Sequence, residues 1–161
     1  NDNELISGSY DGTIRIWNMK TGECKRTLEG HNEGVWKLVI NNDNELISAS
    51  QDKTIRIWNI NAGECKRTFE NHSSSVKSLI INNDYELISG FGDGKIKIFN
   101  MKTGECKRTL EGHFESVLSL VISNDNELIS GSYDGEIKIW CMKTGEFKRK
   151  LEGHSNGVRS L

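Results

Sequence analysis

The sequence predicts an all-β protein assembled from repeats of one four-stranded antiparallel unit. Three observations carry this. His31, His72, His113 and His154 stand 41 residues apart, and Trp17, Trp58, Phe99 and Trp140 keep the same step. Each period contains short β-prone runs separated by Gly, Asn and Asp turns, with no proline in 161 residues. Helical periodicity is absent along the chain.

Each period divides into four elements. The run "VWKLVI" is almost continuously apolar, which predicts an inner strand buried on both faces. After the turn "NNDN", the stretch "ELISAS" is β-prone at its start and small-sided at its end, so neighbouring sheets can approach there. "QDKT", elsewhere "YDGT", "GDGK" and "YDGE", reads as a tight hairpin turn in which Asp and mostly Gly take the unusual φ. "TIRIWN" alternates apolar and polar residues and carries the large aromatic. "MKTGE" turns the chain again into "CKRTLE", the most polar strand. That strand suits an outer edge, where Lys and Arg discourage pairing with other chains.

The copies are close to identical: "TGECKRTLEGH" occurs at 21–31 and again at 103–113. Recent duplication and design both produce such a pattern. The repeat units run 31–71, 72–112 and 113–153, with partial units at 1–30 and 154–161, and no linker interrupts them. One domain over 1–161 is the expectation.

Composition narrows the function. Lys and Arg number 21 against 23 Asp and Glu, a net charge of −2, which offers no basic stripe for nucleic acid or an anionic membrane. No apolar run approaches the ~20 residues of a bilayer span, and no signal-like segment opens the chain. Cys24, Cys65, Cys106 and Cys141 lack CxxC or CxxH spacing, and the first three occupy one repeat position. Free thiols in a reducing, cytoplasmic compartment are expected, with neither zinc nor disulfides.

A ~41-residue, four-strand unit with Gly-His near one end and an aromatic closing the third strand resembles the WD-repeat family of β-propellers. The resemblance covers the whole chain. The family's naming dipeptide is here Trp-Asn, Phe-Asn or Trp-Cys, and Gly-His becomes Asn71-His72 in one copy.

The resemblance implies a polar chain in each blade: Trp N–H to Ser, Ser hydroxyl to His, His to the turn Asp. Carried over, it joins Trp58, Ser48, His31 and Asp52, and likewise Trp140, Ser130, His113 and Asp134. His72, Ser89 and Asp93 meet Phe99, which has no N–H to give. Ser7, Asp11 and Trp17 are matched by His154, at the opposite end of the chain. Ser, His and Asp are also the residue types of a hydrolase triad. Repetition in every unit speaks for scaffolding instead, so no catalytic residue, cofactor or metal is expected.

The terminal run "GVRSL" stands in register with an inner strand, while the first unit lacks one. Sixteen strands, or four blades' worth, are therefore expected, one blade being split between the ends. Small inter-blade residues and the family's usual ring size lead to the expectation of a homodimer closing an eight-bladed ring, the alternative being that these 161 residues are part of one longer ring.

Near-identical copies make their differences informative. Five residues after each His stand Trp36, Lys77, Leu118 and Arg159; Phe114 follows His113 directly; Tyr10, Gln51 and Tyr133 precede the turn Asp. In the family the resemblance implies, these loops share one end of the ring, where partners are gripped. Exposed aromatic and Arg side chains are the composition of binding hot spots. The expected function is thus a non-catalytic scaffold for partner proteins or peptides, the alternative being a designed or recently amplified self-assembling repeat protein.

Overall fold

The computed structural model describes residues 3–70 and 72–161; Asn71, where one copy departs from Gly-His, lies outside them. The chain forms two compact units, Asn1–His72 and Ser73–Leu161.

The first unit holds a three-stranded sheet of β1 (Glu4–Gly8), β2 (Ile14–Asn18) and β3 (Cys24–Leu28), and a four-stranded sheet of β4 (Val35–Ile40), β5 (Glu45–Ser50), β6 (Ile55–Asn59) and β7 (Glu64–Phe69). The second holds β8 (Val76–Ile81), β9 (Glu86–Phe91), β10 (Ile96–Asn100) and β11 (Cys106–Leu110), then β12 (Val117–Ile122), β13 (Glu127–Ser132), β14 (Ile137–Cys141) and β15 (Phe147–Leu151). Every sheet is an antiparallel meander in sequence order, as short turns between consecutive strands require. The predicted four strands per copy are all present in the three complete sheets, with the Cys-Lys-Arg run outermost in two and Phe147-Lys148-Arg149 in its place in the third.

Each unit builds its own core between its two sheets. In the first, Ile14, Ile16, Leu28, Val35, Leu46 and Trp58 pack together; in the second, Ile88, Ile96, Ile98, Val117, Leu128 and Trp140 do. Small residues allow the approach: a Cβ on Gly8 would lie 2.7 Å from Val35 Cγ1, and one on Gly90 2.7 Å from Val117 Cγ1.

Three expectations need correction. The inner strand is not buried on both faces in β4, where Ile40 as well as the variable Trp36 is exposed, because within its unit only the three-stranded amino-terminal sheet packs against it. The hairpin turns place the positive φ on Gly12, Gly94 and Gly135, and on Lys53 in "QDKT", never on the Asp. The sixteenth strand is not formed: residues 152–161 carry no strand and the amino-terminal sheet has three. A strand exists by pairing, and Val158 to Leu161 have no ladder partner in the described single chain.

Candidate interaction surface and the polar chains beneath it

The polar chains set the frame. In the first unit, Trp58 Nε1 donates to Ser48 Oγ at 2.8 Å, Ser48 Oγ lies 2.7 Å from His31 Nε2, and His31 Nδ1 lies 2.8 Å from Asp52 Oδ2. In the second, Trp140 Nε1 reaches Ser130 Oγ at 2.9 Å, His113 Nε2 is 2.8 Å from that oxygen, and His113 Nδ1 is 2.9 Å from Asp134 Oδ2. Desolvation lowers the pKa of both imidazoles, so each is neutral, donating from Nδ1 to the carboxylate and accepting the Ser hydroxyl at Nε2. Burial pushes the Asp52 carboxyl up, but hydrogen bonds from Thr54 and His31 outweigh it and hold the group below its ordinary value. Asp134 behaves alike, its donors including the Glu136 backbone N–H and His113.

Both Ser hydroxyls are fully buried and already committed, and both ring nitrogens of each His are occupied. The triad-like residues therefore present no nucleophile to solvent. His113, Asp134 and Glu136 offer ligand atoms close enough for a cation, yet His113 has no nitrogen left to give one.

The other two sets differ. Ser89 is fully buried and its Oγ has no hydrogen-bond partner among the described residues, with Phe99 standing where the indole would donate. Asp93 is exposed and accepts from Ser73 Oγ at 2.7 Å; His72 is buried in the first unit. In the amino-terminal sheet, Trp17 Nε1 donates to Ser7 Oγ at 2.8 Å and Asp11 Oδ1 accepts from Thr13, while His154 is exposed.

Above this frame sit the residues that vary between copies. The inner strands are bulged: register shifts fall between Val35 and Lys37, Val76 and Ser78, and Val117 and Ser119. The extra residue is Trp36, Lys77 or Leu118, so the varying position is the one the bulge re-aims. Burial of Val and Leu three apart (Val76 and Leu79, Val117 and Leu120) marks the bulge in the folded chain, since strict alternation would place them on opposite faces.

In the first unit, Trp36 (45% exposed) meets Tyr10 (73%) edge-to-face, ring centroids 6.1 Å apart, while Gln51 is half-buried. In the second, Arg159 lies over the Tyr133 ring at 5.9 Å, and Phe114 (86% exposed) is approached by Lys138 Nζ at 5.5 Å. Leu118 and Lys77 are half-buried, and desolvation lowers the Lys77 pKa.

Sequence reasoning also missed a repeating ion pair. The outer strand is bulged at Lys25, Lys66, Lys107 and Lys148, between the register pairs on either side, and each Lys reaches the Glu that opens the second strand: Glu4, Glu45, Glu86 and Glu127. All four cysteines are free, and no helix among the described residues is long and apolar enough to cross a membrane.

Four-stranded meanders repeating every 41 residues, each with an aromatic, a Ser, a His and a turn Asp in one register, define a WD-type repeat protein. The chain belongs to the WD40 family (WD domain, G-beta repeat), which matches at residues 1–18, 22–59, 63–100 and 104–141. That family's fold serves as a scaffold for protein–protein interaction.

Curated relatives include the F-box/WD repeat-containing protein 7 of Drosophila melanogaster, 50% identical over 34 residues. The probable E3 ubiquitin ligase complex SCF subunit scon-2 of Neurospora crassa is 53% identical over 34 residues, and the corresponding subunit sconB of Aspergillus niger 50% over 34. Each match covers 21% of this chain and only 3–5% of those proteins. Among solved structures, the WD40 β-propeller domain of Doa1 matches with a TM-score of 0.86 and 31% identity, over 99% of this chain and 54% of that one. The computationally designed Ika8 protein matches with a TM-score of 0.86 and 35% identity, over all of this chain and 50% of that one.

Proposed function

We propose that the chain is a non-catalytic scaffold that holds a partner protein or peptide on the residues varying between its repeats. One observation carries this reading: the position that differs most in chemistry, Trp36, Lys77 or Leu118, is the bulged residue of each inner strand. Bulges re-aim side chains, and the exposed neighbours Tyr10, Phe114, Tyr133 and Arg159 add the aromatic and guanidinium groups that anchor interfaces. Residues 1–161 act as one propeller domain in this reading, in the cytoplasm, where the free thiols persist.

Its test is capture of proteins from a cell lysate by the wild-type chain and by Trp36→Ala and Arg159→Ala. Loss of a captured protein in either variant, with unchanged thermal stability, is expected. Retention by both removes this surface from the function.

A second reading, a designed or recently amplified self-assembling protein, draws on the near-identity of the copies and the likeness to Ika8. It predicts that no lysate protein is retained. Both readings include a homodimer completing an eight-bladed ring. Sedimentation should give twice the 18.2 kDa chain mass, and a folded monomer at micromolar concentration overturns the ring.

A further inference from the structure

The glycine that follows Asn156 is fixed by packing. A Cβ on Gly157 would lie 3.0 Å from both Cα and Cδ2 of Tyr133, and one on Gly34 3.0 Å from Tyr10 Cδ2. Where the facing turn residue is Gly92 instead of a tyrosine, the equivalent position is Ser116, whose Oγ donates to the Gly92 carbonyl at 3.2 Å. A tyrosine in the turn thus requires a glycine facing it, because only glycine lets the backbone come so close. The residue ahead of that glycine is Glu33 in the first unit and Asn156 in the second. Asn156-Gly157 is the only Asn-Gly step in the sequence.

The local geometry suits attack of that glycine's nitrogen on the side chain before it. Gly157 N donates to Asn156 Oδ1 at 2.7 Å, which holds the nitrogen against the side-chain amide, one bond short of its carbonyl carbon. The same N–H has no backbone acceptor among the described residues, so no ladder bond has to break first. Glycine also brings no side chain to hinder ring closure. Asn156 is exposed, so water reaches it. That exposure belongs to the position: Glu33 and Glu115, at the same point ahead of two complete sheets, are exposed as well. Just beyond the step the loop is anchored, Val158 N donating to Ser132 O at 2.8 Å.

We propose that Asn156 is a self-modification site, at which the chain converts its own asparagine to aspartate and isoaspartate. The deprotonated Gly157 nitrogen bonds to Asn156 Cγ, the Cγ–Nδ2 bond breaks, and ammonia leaves with the proton the nitrogen gave up. The product is a five-membered succinimide. Water then adds to one of its two carbonyls. Opening at one restores the normal backbone with an aspartate side chain; opening at the other routes the backbone through the side-chain carbon, as isoaspartate. In sum one water is consumed and one ammonia released. Glu33 does not follow this course, because it carries no amide to lose ammonia and its ring would have six members. Either product takes the net charge from −2 to −3 and places a carboxylate where Glu33 and Glu115 stand in other copies. Isoaspartate also adds a backbone carbon, which displaces Gly157 from Tyr133, and with it Arg159, whose guanidinium lies over that ring. The inference goes beyond the scaffold reading and stands without it.

The test incubates the folded chain, its Asn156→Gln variant and the chain unfolded in guanidinium chloride, all at neutral pH and body temperature. Peptide mapping by mass spectrometry should find the mass gain of an amide-to-acid exchange in the peptide that holds Asn156. That peptide should split into aspartyl and isoaspartyl forms, the second accepting a methyl group from an isoaspartyl methyltransferase. Asn156→Gln should abolish both signals, and the other asparagines should stay intact over the same time. The folded chain should react at least as fast as the unfolded one, because folding already holds the reacting atoms together. Folding that slows the reaction about tenfold or more overturns the proposal, since the loop would then raise the barrier instead of lowering it. A folded chain in which Asn156 stays intact, or reacts no faster than Asn32 and Asn61, overturns it as well.

Discussion

The two sheets of the second unit are near-copies whose buried serines meet different surroundings. Ser89 in β9 and Ser130 in β13 occupy the same position, and neither is exposed. Ser130 Oγ accepts the Trp140 indole N–H and meets His113 Nε2; Ser89 Oγ has no partner among the described residues. Yet β9 is buried along its whole length, while β13 has two half-buried positions. The sheet with the better apolar cover thus holds the worse polar interior. Burial and satisfaction are separate quantities, and an unpaired buried hydroxyl costs about 1–3 kcal/mol whatever packs around it.

The largest test of that contrast is to delete each hydroxyl. Ser130→Ala strands the Trp140 N–H and the His113 nitrogen together, so it should cost about 2–3 kcal/mol, read as a lowered midpoint in urea unfolding. Ser89→Ala removes a group that has no bond to lose and should be neutral or stabilising. Equal losses in the two variants would break the comparison.

Exchanging the aromatics is the reciprocal experiment and a smaller one. Trp140→Phe should cost about 1 kcal/mol by removing one donor, and Phe99→Trp should gain about as much by supplying one. Slow hydrogen exchange at a new indole N–H would show that the added donor has found Ser89. A melting temperature for Phe99→Trp that is unchanged or lower counts against the polar network, since Phe99 itself is buried and its replacement adds apolar area.

The Phe99 weakness was legible in the sequence because it rests on residue type alone: a phenyl ring has no N–H. The four strands per copy and the polar outermost strand were legible for a related reason, namely that registered copies repeat the same pattern; the polar chains through His31 and His113 were expected only from the resemblance to WD repeats, since spacing alone does not say which Ser, His and Asp meet. The bulges at Trp36, Lys77 and Leu118 were not legible, because "VWKLVI" is almost continuously apolar and such a run hides its own register. The ion pairs of Lys25 with Glu4 and its equivalents follow from bulges too, and so escaped with them. The exposure of Ile40 was missed because hydrophobicity reports what a strand would bury, not whether a neighbour is present to cover it; that of Trp36 was expected from its variable position, though not from the strand that carries it.

The backbone supplies the finest control on the comparison. Gly94 and Gly135, in the hairpin turns of the two contrasted sheets, share φ values of 81° and 84°, so the turn is not the source of their difference. In the first unit the same turn puts Lys53 at φ 66°. A side chain in the left-handed region is strained by about 1–2 kcal/mol, and glycine removes that strain while loosening the unfolded chain. Lys53→Gly should therefore stabilise by about 0.5 kcal/mol. Gly135→Lys should destabilise by more, because a Cβ there would also stand 3.0 Å from His154 O. The pair of variants, compared by thermal unfolding, isolates turn strain from the Ser89 effect; a loss of stability in Lys53→Gly would show that the lysine side chain contributes more than its backbone costs.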